Sequence, residues 1–77
     1  MDKEEFIQKW NSRGGLSGLR VIVFNGGTIF ADSMRISHVM RFDKKRKTEY
    51  DEAVFSKARG VVIETGTCRI DKIKEVL

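Results

Sequence analysis

The sequence predicts a small, mainly β domain: an antiparallel barrel of about five strands that follows one N-terminal α-helix. Short apolar runs rich in β-branched residues recur along the chain, a strong turn signal links two of them, and the first residues show helical spacing. At 77 residues there is room for one hydrophobic core only. We therefore expect a single domain, with the helix over residues 1–13 and the barrel over residues 19–77.

The N-terminal segment has the pattern of an amphipathic helix over residues 2–13. Phe6, Ile7 and Trp10 recur at helical spacing, and acidic side chains in the first turn suit the positive end of the helix dipole. A glycine pair at residues 14–15 then ends the helix. We expect Phe6 and Trp10 to pack the helix on the barrel.

The first hairpin is predicted from residues 19–31. Residues 19–24 form a compact apolar run typical of a buried strand, and residues 28–31 begin a second strand. Between them lies Asn25-Gly26-Gly27, whose residue types accept the positive φ angles of a tight turn. Backbone amides of such a turn can also hold a phosphate, so Asn25 is a candidate anion-binding residue.

A second hairpin is predicted from the strict alternation that follows. One set of side chains is expected to face the core: Met34, Ile36, His38, Met40 and Phe42. The intervening positions, which include Arg35 and Arg41, would face solvent. The turn is expected over residues 43–47, and residues 48–55 are interpreted as the returning strand.

The C-terminal third is predicted to add three short strands. Residues 60–64 form a strand, Thr65-Gly66 a two-residue turn, and residues 67–70 the returning strand. One helical turn at residues 71–72 then leads to a last edge strand over residues 73–77. Hairpin-linked strands of this kind favour a strongly bent sheet closing as a barrel.

Two stretches also resemble a known group of small barrels. Residues 21–26, preceded by a helix, resemble the opening of Sm-like barrels such as bacterial Hfq. Residues 68–76 are similar to the end of Sm-like proteins, of Rho-inhibitor (Rof-like) proteins and of WYL domains. The apolar pattern with a glycine turn is shared with SH3-like barrels. The resemblance implies a ring- or dimer-forming barrel that binds RNA, nucleotides or a protein partner, without catalysis.

Positive charge is concentrated in one part of the sequence. Residues 33–48 have a net charge of +5, whereas the whole chain has +4, so the remainder is slightly acidic. A local basic patch can attract an anionic partner, such as nucleic acid or nucleotide. The candidate anion-binding residues are Arg35, Arg41, Lys44, Lys45, Arg46, Lys47, Asn25 and His38.

The residue types present argue against several other classes. One cysteine, Cys68, and one histidine, His38, cannot supply the four ligands of a zinc site, and neither lies in a pattern typical of nucleophilic catalysis. We therefore expect a protein that is not an enzyme and has no cofactor or metal. The sequence has no apolar run of membrane-spanning length and no signal peptide, which favours a cytoplasmic protein without membrane contact.

Three functional hypotheses remain open at this point. The first is an RNA- or other nucleic-acid-binding protein with a basic face. The second is a homo-oligomeric nucleotide-binding protein that sequesters its ligand, as small phage proteins do. The third is a protein-interaction or inhibitor module that docks on an acidic partner. Such a small core also favours a homo-oligomer, which would bury further apolar surface.

Overall fold

The computed structural model describes residues 1–14, 18–59 and 62–77. These residues form one helix, six strands and one short 3₁₀ turn: α1 (Lys3–Ser12), β1 (Arg20–Phe24), β2 (Gly27–Ala31), β3 (Ser33–Asp43), β4 (Arg46–Arg59), β5 (Val62–Arg69), η1 (Ile70–Lys72) and β6 (Ile73–Val76). The mainly β class with an N-terminal helix is confirmed. The strands form two antiparallel three-stranded sheets, in the orders β2-β1-β6 and β3-β4-β5. The described residues form no closed barrel, so that expectation is not confirmed.

Helix α1 begins at a side-chain cap and is held by its aromatic residues. The Asp2 carboxylate accepts a hydrogen bond from the Glu5 backbone N–H (2.8 Å). Ten residues are too few for a helix to be stable alone in water, so packing must hold it. Phe6 is fully buried and Trp10 nearly so, as the sequence predicts. The Arg20 guanidinium lies 4.2 Å from the centre of the Trp10 ring and its Nε donates to the Trp10 carbonyl (2.9 Å).

An aromatic cluster joins the helix to the second sheet. The ring centroids of Phe6, Trp10 and Phe55 lie 5.9–6.3 Å apart, and the Phe6 and Phe55 rings meet edge to face. Ile22 of β1 and Val76 of β6 bring the first sheet into the same core. The two sheets and the helix therefore share one small apolar interior.

The first sheet contains the hairpin and the last edge strand that the sequence predicts. A tight turn at Asn25-Gly26 links β1 to β2, with Gly26 at a φ of 113°. The 3₁₀ turn over residues 70–72 leads into β6, which pairs with β1 and lies at the edge of the sheet. Both the turn and the last edge strand are confirmed.

A single residue, Asp32, separates β2 from β3 and turns the chain from one sheet into the other. The Asp32 N–H donates to the Ser56 carbonyl (3.0 Å), and its carboxylate accepts from the Ala58 N–H (3.1 Å). Both of these backbone groups belong to β4. The corner is thus bonded to the central strand of the second sheet.

The hairpin of β3 and β4 extends beyond the part that packs against the core. Met34 and Ile36 pack against the core, but Met40 is 47% exposed and Phe42 is 74% exposed. The prediction that this whole alternating set faces the core is wrong beyond Ile36, because the hairpin extends past the apolar interior. The molecule is correspondingly elongated, with extents of 47 × 28 × 20 Å.

The predicted turn at Thr65-Gly66 is wrong, because β5 continues through these residues from Val62 to Arg69. Gly66 stands opposite the buried Phe55, and a Cβ at Gly66 would come within 3.7 Å of the Ile29 Cδ1. That distance is an ordinary van der Waals contact, so the strand passes through Gly66 without a close approach that only glycine would allow. The predicted strand start at residues 60–61 lies outside the described residues.

The tip of the long hairpin is tighter than expected and has an unusual backbone. Strand pairing extends to Asp43 opposite Arg46, so only Lys44 and Lys45 form the loop. Lys44 has a φ of 54°, in the left-handed region, which costs a non-glycine residue roughly 1–2 kcal/mol.

We expect Lys44→Gly to raise the free energy of unfolding by up to about 1 kcal/mol, because glycine adopts this φ without strain. Lys45→Gly is the matched control: it removes the same charge from a position without a positive φ, and it should be neutral or destabilising. Urea denaturation of both variants makes the comparison. An equal loss of stability in both would contradict the strained turn.

Candidate nucleic-acid interface

The register of the second sheet assigns each side chain of the hairpin to one of two faces. Paired residues in antiparallel strands point to the same side, and successive residues alternate. Met34 pairs with Phe55 and Ile36 with Ala53, and these four meet the core. We call their side the core face. The opposite side is called the basic face.

The basic face collects arginines from all three strands of the sheet. By register it carries four guanidinium groups and two carboxylates: Arg35, Arg41, Arg46 and Arg69 with Asp43 and Glu52. Tyr50 and Val39 form a row between these charges. The two lysines of the turn, Lys44 and Lys45, lie at its end. Positive charge therefore exceeds negative charge on this side of the sheet and at its tip.

One aromatic ring on the basic face is already stacked. The Arg69 guanidinium lies 4.3 Å from the centre of the Tyr50 ring. It also donates two hydrogen bonds to the Asp71 carboxylate, of 3.2 and 2.8 Å. This pair of contacts fixes the guanidinium as a flat surface beside a half-buried tyrosine.

The remaining cations of this side are available to an external partner. Arg35, Arg41 and the tip residues 44–46 are all exposed. None of them makes an ion pair with any carboxylate in the part of the chain that the structure describes. Their charge is balanced by solvent ions, which a polyanion would displace.

Two of the predicted anion-binding residues lie on the other side of the sheet. His38 and Lys47 occupy core-face positions in the exposed half of the hairpin. The Lys47 Nζ lies 2.9 Å from a Glu49 oxygen, and the His38 Nδ1 lies 3.0 Å from an Asp51 oxygen. Strand alternation therefore places Lys47 on the opposite side of the sheet from Arg35 and Arg41, so the Lys/Arg run does not lie on a single face.

Asn25 is also separate from the arginines. It lies in the turn between β1 and β2, in the first sheet, and its side chain is exposed. Its backbone N–H donates to the Lys72 carbonyl (3.3 Å), so this amide of the turn is already used within the fold. The structure places Arg35, Arg41 and Arg46 on one face of the second sheet, but not Asn25, His38 or Lys47.

Sequence reasoning missed Arg69 as a member of this site. Its face follows from its pairing with Glu52, which holds only if β5 runs unbroken through Thr65-Gly66. The predicted turn at that point hid the pairing. The sequence does contain a signal for this pairing. Thr67 and Arg69 occupy alternate positions, which is typical of one strand that runs through this stretch.

A cleft of about 260 Å³ opens between the start of α1 and residues 49–51 of β4. Its charged lining contains four carboxylates, each with a partner: Asp2 with the Glu5 N–H, Glu49 with Lys47, Asp51 with His38 and Asp71 with Arg69. Lys3 and Arg69 are the cationic side chains of the lining. An excess of carboxylates disfavours phosphate, so this cleft does not suit a nucleotide.

The chemistry of the single cysteine is that of a packed residue. Burial, and then the negative charges of Asp71 and Glu52, raise the pKa of the Cys68 thiol above its usual value. A raised pKa disfavours the thiolate, the form that acts as a nucleophile. Across residues 1–14, 18–59 and 62–77, no three His, Cys, Asp or Glu side chains cluster as metal ligands would. No described helix has the length and hydrophobicity to cross a lipid bilayer.

No protein-family model matches the sequence, and searches of curated proteins and of solved structures found no significant match.

We expect iodoacetamide to alkylate Cys68 more slowly in the folded protein than in urea at pH 8 to 9. The folded thiol should also need a higher pH for half-maximal rate, because burial and nearby carboxylates disfavour its ionisation. Mass spectrometry of quenched samples across pH measures both rates. Folded and unfolded protein with the same rate and the same midpoint would contradict this environment.

Proposed function

We propose that this protein binds single-stranded RNA or another nucleic acid through the basic face, without catalysing a reaction. The observation that supports this most is the separation of charge by strand alternation. Arginines and the tip lysines lie on one side, whereas Glu49 and Asp51 lie on the other and are paired there. A diffuse positive charge would aid solubility, but a one-sided one can follow a phosphate backbone.

The arrangement suits a single strand better than a free nucleotide. The hairpin surface is open and elongated, and it offers several separated cations rather than an enclosed pocket. The described cleft is lined mainly by carboxylates among its charged groups. Single strands are bound by cations along the backbone together with flat groups on which bases stack. The Tyr50–Arg69 pair, which also lines one wall of the cleft, supplies such a flat group at one side of the arginines.

We further propose that the two sheets are halves of one open barrel of the Sm-like kind. Asp32 alone separates β2 from β3, which makes them one sharply bent strand. The 3₁₀ turn precedes a last strand that pairs with β1, as the resemblance implies. Both features support this relationship, and a cytoplasmic location would accord with binding RNA.

Fluorescence anisotropy with a labelled single-stranded RNA tests the function. We expect Arg41→Gln/Arg46→Gln to lower the affinity about a hundredfold or more, since charged hydrogen bonds to phosphate contribute roughly 1.5–3 kcal/mol each. The slope of log affinity against log salt should become shallower by about 0.7 for each phosphate of the single strand that is no longer neutralised.

Lys72→Gln/Lys74→Gln is the matched control, because it removes the same charge from exposed positions in η1 and β6, away from the basic face. It should leave the affinity nearly unchanged. Equal decreases in affinity for the two double variants would show that binding depends only on the overall net charge. Absence of binding, or binding that ignores salt, would overturn the proposal.

A further inference from the structure

Strand β3 leaves one of its edges unpaired. In the sheet order β3-β4-β5 it bonds to β4 on one side and forms the margin of the sheet on the other. In the described ranges, no backbone hydrogen bond from another element reaches that margin over residues 34–43. A long free edge is a template for pairing with another strand.

The same strand exposes two large apolar side chains. Met40 and Phe42 lie on the core face, in the half of the hairpin that extends past the core. Removal of such side chains from water favours association. A partner that extends the sheet at this edge would cover them.

The charges of β3 are arranged symmetrically for pairing with a copy of itself. Arg35 and Asp43 lie four residues before and four residues after Val39. In an antiparallel pair centred on Val39, each Arg35 stands opposite the partner's Asp43. Opposite charges placed directly across two strands are stabilising.

We propose that two copies of this chain pair antiparallel along β3, about a two-fold axis at Val39. The two three-stranded sheets then form one six-stranded sheet in which β3 and its copy are the central strands. This commits the free edge to a second copy rather than to an unrelated strand.

Other registers are less favourable. A two-fold axis perpendicular to the sheet pairs only residues whose side chains face the same side. The axis can therefore pass through a residue of β3 but not between two residues. Centring on His38 places Arg35 opposite the partner's Arg41, which sets like charges against each other twice. Centring on Met40 places Ile36 opposite the partner's Lys44. Centring on Ser37 leaves Phe42 beyond the paired strand.

The Val39 register also accounts for the exposed apolar residues. Phe42 then lies opposite the partner's Ile36, beside the rim of the partner's core. The extended half of each hairpin would be covered by the other copy. Residues 35–43 of each β3 would then lie beside the same residues of the other copy.

The pairing deepens the proposed function, and this consequence rests on it. On the basic face, Val39 meets the partner's Val39, with a Tyr50 outside each valine. Arg41 lies opposite the partner's Ser37 and stays available to a phosphate, whereas Arg35 is taken up by the partner's Asp43. The result is one continuous surface with an apolar and aromatic centre and arginines on both sides, built from six strands instead of the three of a single copy.

Cysteine cross-linking tests the register directly. In a Cys68→Ala background, Val39→Cys should form a disulfide-linked dimer under mild oxidation, since opposite Cα atoms lie about 4.5–5.5 Å apart, within disulfide range. Arg41→Cys alone should not, because the two copies of residue 41 are offset by four residues along the paired strands, about 13 Å. A mixture of Arg41→Cys and Ser37→Cys should cross-link. Absence of the Val39→Cys dimer, or equal cross-linking of all three samples, would overturn the proposal.

Sedimentation without RNA tests the charge pairing. We expect the wild type to dimerise and Asp43→Arg to weaken the dimer about tenfold, because two opposite-charge pairs become two like-charge pairs. Arg35→Asp/Asp43→Arg should restore it. Phe42→Ser should weaken it, whereas Ile63→Ser, which removes an equally exposed residue (70%) from β5, should not.

The two proposals fail separately. A wild type that sediments as a monomer at every concentration, or a double charge swap that does not restore dimerisation, overturns the pairing whatever the RNA result. Arg41→Gln/Arg46→Gln should still dimerise while it loses RNA affinity, because neither residue takes part in the charge pairs. A dimer with this register that binds no RNA overturns the proposed function alone.

Discussion

The contact between Phe55 and the two aromatic residues of α1 is the interaction on which the rest of the structure depends. It joins the helix to the middle of β4, and the apolar residues of both sheets gather around it. A chain of 77 residues cannot extend this core much further. The core consequently covers only the first half of the β3–β4 hairpin, and the second half reaches into solvent with both faces open.

The charge distribution follows from that geometry rather than from overall composition. In a hairpin with two solvated faces, alternation sorts the side chains, and here it places Arg35, Arg41 and Arg46 away from Glu49 and Asp51. The same hairpin presents a free strand edge and two exposed apolar residues. Binding of a polyanion and pairing of two copies are therefore proposals about one structural element, the part of the hairpin that the core does not cover.

Local signals in the sequence predict much of the fold. Helical spacing, the Asn25-Gly26 turn and the alternation after Met34 give the helix, the first hairpin and the start of the second. Two features depend on contacts between distant residues and could not be predicted in this way. Gly66 is a residue type common in turns but lies opposite Phe55 within β5, and only Met34 and Ile36 of the alternating set in β3 pack against the core. The site was predicted in part, since Arg35 and Arg41 required only alternation, whereas Arg69 and the opposite placement of Lys47 required the strand register.

The two-residue loop at Lys44-Lys45 has a consequence for how this chain can vary. Because the loop is as short as an antiparallel connection allows, it fixes which residue of β4 stands beside which residue of β3. Gain or loss of one residue in either strand would exchange the two sides of everything beyond it, bringing acids among the arginines. Related chains that keep the same electrostatic pattern can thus lengthen or shorten each strand of the β3–β4 hairpin only by an even number of residues.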